Sequence, residues 1–370
     1  MSDSTPLARF AQVGCARHVG VIGGLLAMAL LIVLARNWGG VSRFAIDAEA
    51  AREGQEVAAT LDSPEALLAW VRAHPEAASL VVWDDSVQTL AVAPEVARPV
   101  PGLPVLLLGA EVARQAAAGL DTTAAVPAGT VAERRLPSID APGPEPATVG
   151  ALTQAALAGD RASADALLAL LGRDAVEATP DRLGVPELEA PLPVGGLLLA
   201  WDDAGLDADP EATPRPAWRD SAFAREARFL RDGPERRAEL GRIRRRGLGL
   251  TIDVQRAAAA ASLPRGTASG YADLLRRVQA GEVAGAEALR QDLEAVTPPM
   301  AGGDAEAVAL RRGGIQGHLA AAGYLVEGSG RTRVAVLVLA DLPHAVYRRL
   351  IETGLDAGLV LGLLLGEVDP

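Results

Sequence analysis

Apolar residues dominate the stretch from Arg98 to Leu120, RPVPGLPVLLLGAEVARQAAAGL. Pro99, Pro101 and Pro104 predict an extended entry, because each ring fixes φ and removes a backbone donor. From Leu103 the residues are apolar or strong helix formers, and Gly119 stands where a helix would end. The pattern predicts a helix over 103–118, apolar all round in its first two turns. Such a helix is buried.

The flanking patterns predict further elements. Ser63-Pro64-Glu65 is a helix start, with serine as N-cap and proline in the first turn. Residues 79–84 (SLVVWD) and 89–92 (TLAV) read as two strands about a turn at Asp85-Ser86. After the apolar helix, 121–148 is a Pro/Gly-rich loop. Helices are predicted over 148–157 and 162–171, the second ending at Gly172. Residues 181–199 read as loop with an apolar patch, 202–216 as an acidic, Pro-rich loop and 217–246 as a charged helical region. Thr267 caps another helix, and a further one covers 286–295. The period then changes: strands are predicted over 305–310, 318–326 and 332–340. A final helix covers 346–365. Arg348, Arg349, Glu352 and Asp356 interrupt it, so it reads as packed on a sheet and not as a membrane span.

One stretch does fit a membrane. Val19 to Ala35 is uncharged over 17 residues, at the short end of the spanning range. Arg17 and His18 precede it, and Arg36 and Arg43 follow; these flanks balance too closely to set an orientation. No small-x-small cleavage site follows, which favours an uncleaved anchor over a signal peptide. The expected division is a tail over 1–18, an anchor over 19–36, a linker over 37–58 and a domain over 59–370.

Composition narrows the chemistry. The chain has 370 residues and a formal net charge of -12, which argues against nucleic acid as a partner. Arginine supplies all 35 basic side chains, so no lysine can serve as base or Schiff-base former. Cys15 is the single cysteine, which excludes an internal disulfide. No His-x-x-x-His, cysteine pair or phosphate-cradling glycine loop occurs, so neither a metal nor another cofactor is expected. The acidic set Asp202, Asp203, Asp207 and Asp209 lacks calcium-loop spacing. Arg242, Arg244, Arg245 and Arg246 read as a solvated helix end, with lipid head groups as the other reading.

The layout resembles the serine β-lactamase and penicillin-binding (D-Ala-D-Ala peptidase) superfamily, in a degenerate form. The likeness is carried by residues 79–84, 266–275 and 312–339, and by the order of elements across roughly 60–368. It implies an α+β fold with an antiparallel sheet drawn from both chain ends, 59–96 and 303–370, and a helical part inserted over 97–302. It also implies three motif stations around one cleft. At the first, Ser-x-x-Lys, Arg98-Pro99-Val100-Pro101 aligns Gly102 with the serine and Val105 with the lysine; no serine lies between Ser86 and Ser138. At the second, Ser-x-Asn, stands Gly159-Asp160-Arg161. At the third, Lys-Thr-Gly, stands Arg312-Gly313-Gly314. The glycines would let ligand backbone approach, and Arg312 would anchor a carboxylate. His318, six residues on, could act as a base, although a structural role is the commoner one for a lone strand histidine.

Acyl-enzyme chemistry needs a nucleophile, a base and an oxyanion hole, and the first two are missing. The expectation is a pseudoenzyme, anchored in the cell membrane with its bulk outside the cytoplasm. It would bind a cell-wall peptide or an envelope protein. The alternative is an active hydrolase with a relocated nucleophile, Ser163 or Ser138. A third reading is a structural subunit of an envelope complex.

Overall fold

The computed structural model describes residues 49–137, 139–204, 210–231, 233–297 and 305–369. The proposed anchor, 19–36, and Ser138 lie outside the described residues. The chain divides into two units, Met1–Ala50 and Ala51–Pro370. All the elements that follow belong to the second, and among the described residues no helix is long and apolar enough to cross a membrane.

The chain opens with α1 (Gln55–Thr60) and α2 (Pro64–Ala73), the latter capped by the Ser63 hydroxyl accepting from the Ala66 N–H. Strands β1 (Ala78–Asp84) and β2 (Val87–Val92) form a hairpin, and β3 (Arg98–Pro99) leads into the central helix α3 (Val105–Ala117). The insert continues with α4 (Val149–Leu157), α5 (Arg161–Leu171), α6 (Arg173–Glu177), α7 (Thr179–Leu183) and α8 (Val194–Ala204). Next come α9 (Arg215–Arg231), α10 (Gly233–Arg246), α11 (Ile252–Ser262), β4 (Arg265–Gly266), α12 (Ala268–Gln279) and α13 (Ala286–Ala295). Strands β5 (Ala305–Ile315), β6 (His318–Glu327) and β7 (Thr332–Leu339) precede α14 (His344–Thr353) and α15 (Leu355–Leu365).

The five long strands form one antiparallel sheet in the order β2-β1-β7-β6-β5, so both chain ends do build it. β7 sits at its centre and is apolar on both faces. Val334, Val336 and Val338 join the core shared with α3, α5 and α12; Ala335, Leu337 and Leu339 join the core under α2, α14 and α15. This is the two-residue alternation of a strand covered on both sides. A short pair, β3 with β4, lies apart and brings Arg98 opposite Gly266.

Three expectations about elements change. The predicted last helix is two, broken at Gly354, whose φ of +69° ends the amphipathic α14 before the apolar α15 begins. The apolar patch inside 181–199 begins α8, where Gly195 and Gly196 let the helix start lie flush on its neighbours. A β-carbon on Gly196 would come within 2.1 Å of the Ala222 carbonyl oxygen. The first C-terminal strand signal, 305–310, runs on to Ile315, so the Arg-Gly-Gly triplet lies within a strand.

Candidate functional site

Glycine brings the first and third stations together. Gly102, at φ +76°, turns the chain from the proline-rich entry into α3. It packs backbone to backbone on β5: a β-carbon on Gly102 would lie 2.7 Å from the Gly313 Cα. One on Gly313 would lie 2.3 Å from the Pro101 carbonyl oxygen. Real β-carbons do not tolerate such distances to backbone. The position expected of the nucleophile has no room for a side chain of any kind.

Strand parity decides which arginine faces this junction. Ala309 belongs to the core on the insert side, and Leu310 packs into the opposite core. Residues 309, 311 and 313 therefore share the insert face. Arg311 reaches across to Gly102, its Nε donating to the Gly102 carbonyl at 3.3 Å. Its Nη1 would lie 2.9 Å from a β-carbon on Gly159, at the second station. The three stations thus meet, with the Arg311 guanidinium among them. Among the described residues no carboxylate pairs with it, and burial pulls its pKa down to about 10.

Arg312 borders the same cleft but turns its guanidinium to the other face of the strand, where it is already paired. Its Nε and Nη2 donate to the Asp356 carboxylate at 2.6 and 2.7 Å, and Nη2 also donates to the Leu350 carbonyl. The cause is parity: adjacent residues of a strand point to opposite faces, so Arg311 and not Arg312 reaches Gly102. Gly314 likewise faces Leu319, Ile351 and Tyr347. His318 is buried and held as a structural residue. Its Nε2–H donates to the Arg256 carbonyl and its Nδ1 accepts from the Asp341 N–H. Burial pushes its pKa down to about 4, so it is a neutral fixture of the sheet end.

At the second station, Asp160 precedes α5 and is already engaged. It accepts from Arg135 at 3.0 and 2.9 Å and from the Ser163 hydroxyl at 2.5 Å. Ser163 is wholly buried, which leaves it no path to a substrate. Arg161 pairs with Asp140 and Asp165. Val105, at the lysine station, is a buried aliphatic at the start of α3. Among the described residues no group of acidic, histidine or cysteine side chains could hold a metal.

Gly102, Val105, Asp160, Arg161, Arg311 and Gly313 line an open cleft of about 1150 Å³. One wall is the segment 139–147, IDAPGPEPA, and the other is the β5 edge. The β5 edge matters because its unpaired side could receive an extended backbone.

The topology and this convergence find matches among solved structures. A β-lactamase from Sphaerobacter thermophilus DSM 20745 superposes with a TM-score of 0.54 at 16% identity, over 82% of this chain and 98% of that one. The chain has the β-lactamase-like fold. TLA-1 extended-spectrum β-lactamase matches with a TM-score of 0.50 at 13% identity, over 80% and 97%. A variant of the last common ancestor of Gram-negative class A β-lactamases also gives 0.50, at 16% identity over 82% and 99%. No protein-family model matches the sequence, and no curated protein matches it. At these identities the likeness concerns the β-lactamase-like scaffold; the chemistry of this chain rests on its own residues.

Proposed function

We propose that this chain is a non-catalytic binding protein built on a serine-hydrolase scaffold. It would be held in the cell membrane by residues 19–36, with its β-lactamase-like domain outside the cytoplasm. The observation that carries the reading is the closed contact of Gly102 on Gly313. A missing serine could be replaced by another nucleophile, but a site without volume for a side chain cannot host one. The absence of lysine removes the usual partner amines as well. Ser163, the alternative nucleophile among the described residues, is buried against Asp160.

The cleft offers recognition in place of chemistry. Arg311 presents a guanidinium with open hydrogen-bonding capacity, and the β5 edge runs beside it. A peptide with a free carboxylate would satisfy both, pairing its backbone with the strand and its charge with Arg311. The test is titration of the purified chain with cell-wall-type peptides ending in D-Ala-D-Ala, as free acid and as amide. Binding of the acid should fall on the order of tenfold to a hundredfold in Arg311→Gln or on amidation, the scale of one charged hydrogen bond. Equal affinity for acid and amide would refute the anchor. Full retention of a protein partner by Arg311→Gln would move recognition to the outer surface, as a structural subunit of an envelope complex would require.

A further inference from the structure

The wall of the cleft is tied to the insert by a buried ionic cluster. Arg134, Arg135 and Arg161 supply three guanidiniums; Asp140, Asp160, Asp165 and Glu226 supply four carboxylates. Arg134 Nε donates to Glu226 on α9 at 2.9 Å. Arg161 holds Asp140, which in turn accepts from the Leu136 N–H, and it also donates to the Arg134 carbonyl. Glu145 accepts the backbone N–H groups of Val131 and Ala132. The 134–140 end of the wall therefore hangs on this cluster directly, and Glu145 ties the other end to it only through the Val131 and Ala132 backbone.

One carboxylate is in excess. Asp165 accepts from the Val194 and Gly195 N–H groups at 2.9 and 2.8 Å, and from Arg161. Burial raises both carboxyls, Asp165 and Glu226; with three donors on Asp165 and one on Glu226, the surplus proton belongs on Glu226. Burial and the facing Asp165 push the Glu226 carboxyl up to about 7. The charged groups facing it are Arg134 from the wall and Asp165 and Arg161 from α5. Neighbours on α10 are engaged elsewhere: Arg236 with the Glu133 carbonyl, Glu239 with Arg225.

We propose that Glu226 is a proton-operated latch on the cleft wall: protonated, it closes a cluster with balanced charge, and on ionising it leaves one uncompensated anion and releases residues 131–137 and 139–147. This regulation concerns the binding cleft and rests on that reading of it, but it needs no ligand to be observed. In an opened wall Glu226 would meet water and titrate as an ordinary glutamate. Loss of its proton therefore favours the open state.

The experiment is hydrogen exchange of the full chain, without ligand, from about pH 5.5 to 8.5, corrected for intrinsic exchange. Linkage predicts that the opening constant of residues 131–137 and 139–147 rises on the order of thirtyfold across that range. Glu226→Gln, which mimics the protonated form, should hold the wall closed at every pH. A wall whose corrected exchange is independent of pH, or a variant that keeps the dependence, overturns the latch. Should Glu226→Gln fail to fold, Arg134→Gln decides. Removing the facing cation must move the transition to higher pH, and an unmoved midpoint overturns the proposal equally. Peptide binding can fail while the latch holds, and the reverse, so the two readings are separable.

Discussion

Gly102→Ser restores the hydroxyl that the scaffold lacks, and the structure predicts that it harms the protein instead of awakening it. Two costs combine. At φ +76° a serine sits in the left-handed region, at a cost of about 1 kcal/mol. Its β-carbon would then stand 2.7 Å from the Gly313 Cα. Backbone must shift to relieve that, at the roughly 1–3 kcal/mol typical of overpacking. The sum is about 3 kcal/mol. Gly281→Ser is the control, because Gly281 has a similar φ of +73° with nothing within 4 Å of its β-carbon position; it should cost only about 1 kcal/mol. Equilibrium urea unfolding measures both as midpoint shifts at constant slope. If Gly102→Ser loses no more stability than Gly281→Ser, the site is open and the reasoning from closure fails.

Other outcomes follow from buried charge. Arg312→Met should destabilise by about 3 kcal/mol, because it strands the buried Asp356 carboxylate. Arg312→Met with Asp356→Leu should recover most of that loss. Two buried groups should set opposing pH slopes. Glu226 is raised from 4.5 to about 7, so its stability is full below 4.5 and is lost as pH rises through 7. His318 is lowered from 6.5 to about 4, so its stability is full above 6.5 and is lost as pH falls through 4. Between those ordinary values the two cancel. Glu226→Gln should expose a stability that climbs about 1.4 kcal/mol per pH unit from 4.5 to 6.5, and His318→Gln one that falls equally. Urea midpoints across that window check both signs.

The scaffold was largely legible because its strongest signals are local. TRVAVLVL is apolar at every position after Arg333 and carries three β-branched valines, and a central strand covered on both faces suits it. The apolar run after Leu103 could only be a buried helix, and Ser63, Thr148 and Thr267 marked helix starts that their hydroxyls indeed cap. Failures came where tertiary context decides. The break at Gly354 escaped the reading because an amphipathic helix followed by an apolar one still looks like a single helical run, although the change in polarity falls at that glycine. Arg311 and Arg312 are identical as letters. Strand parity separates them, and it acts only because β5 runs on to Ile315, past the predicted end at 310. The contact of Gly102 on Gly313 spans more than two hundred positions of chain and leaves no local trace. The ionic cluster is similar, since Glu226 looks like one more charge on a polar helix until Asp165 is placed beside it.

The most direct measurement is incubation of the purified chain with a fluorescent penicillin, followed by denaturing electrophoresis and intact-mass determination. A chain whose nucleophile station is filled by two touching backbones should carry no label and no added mass at any time of incubation. A fluorescent band that survives denaturation, with a mass increase of one penicilloyl group, would contradict the account.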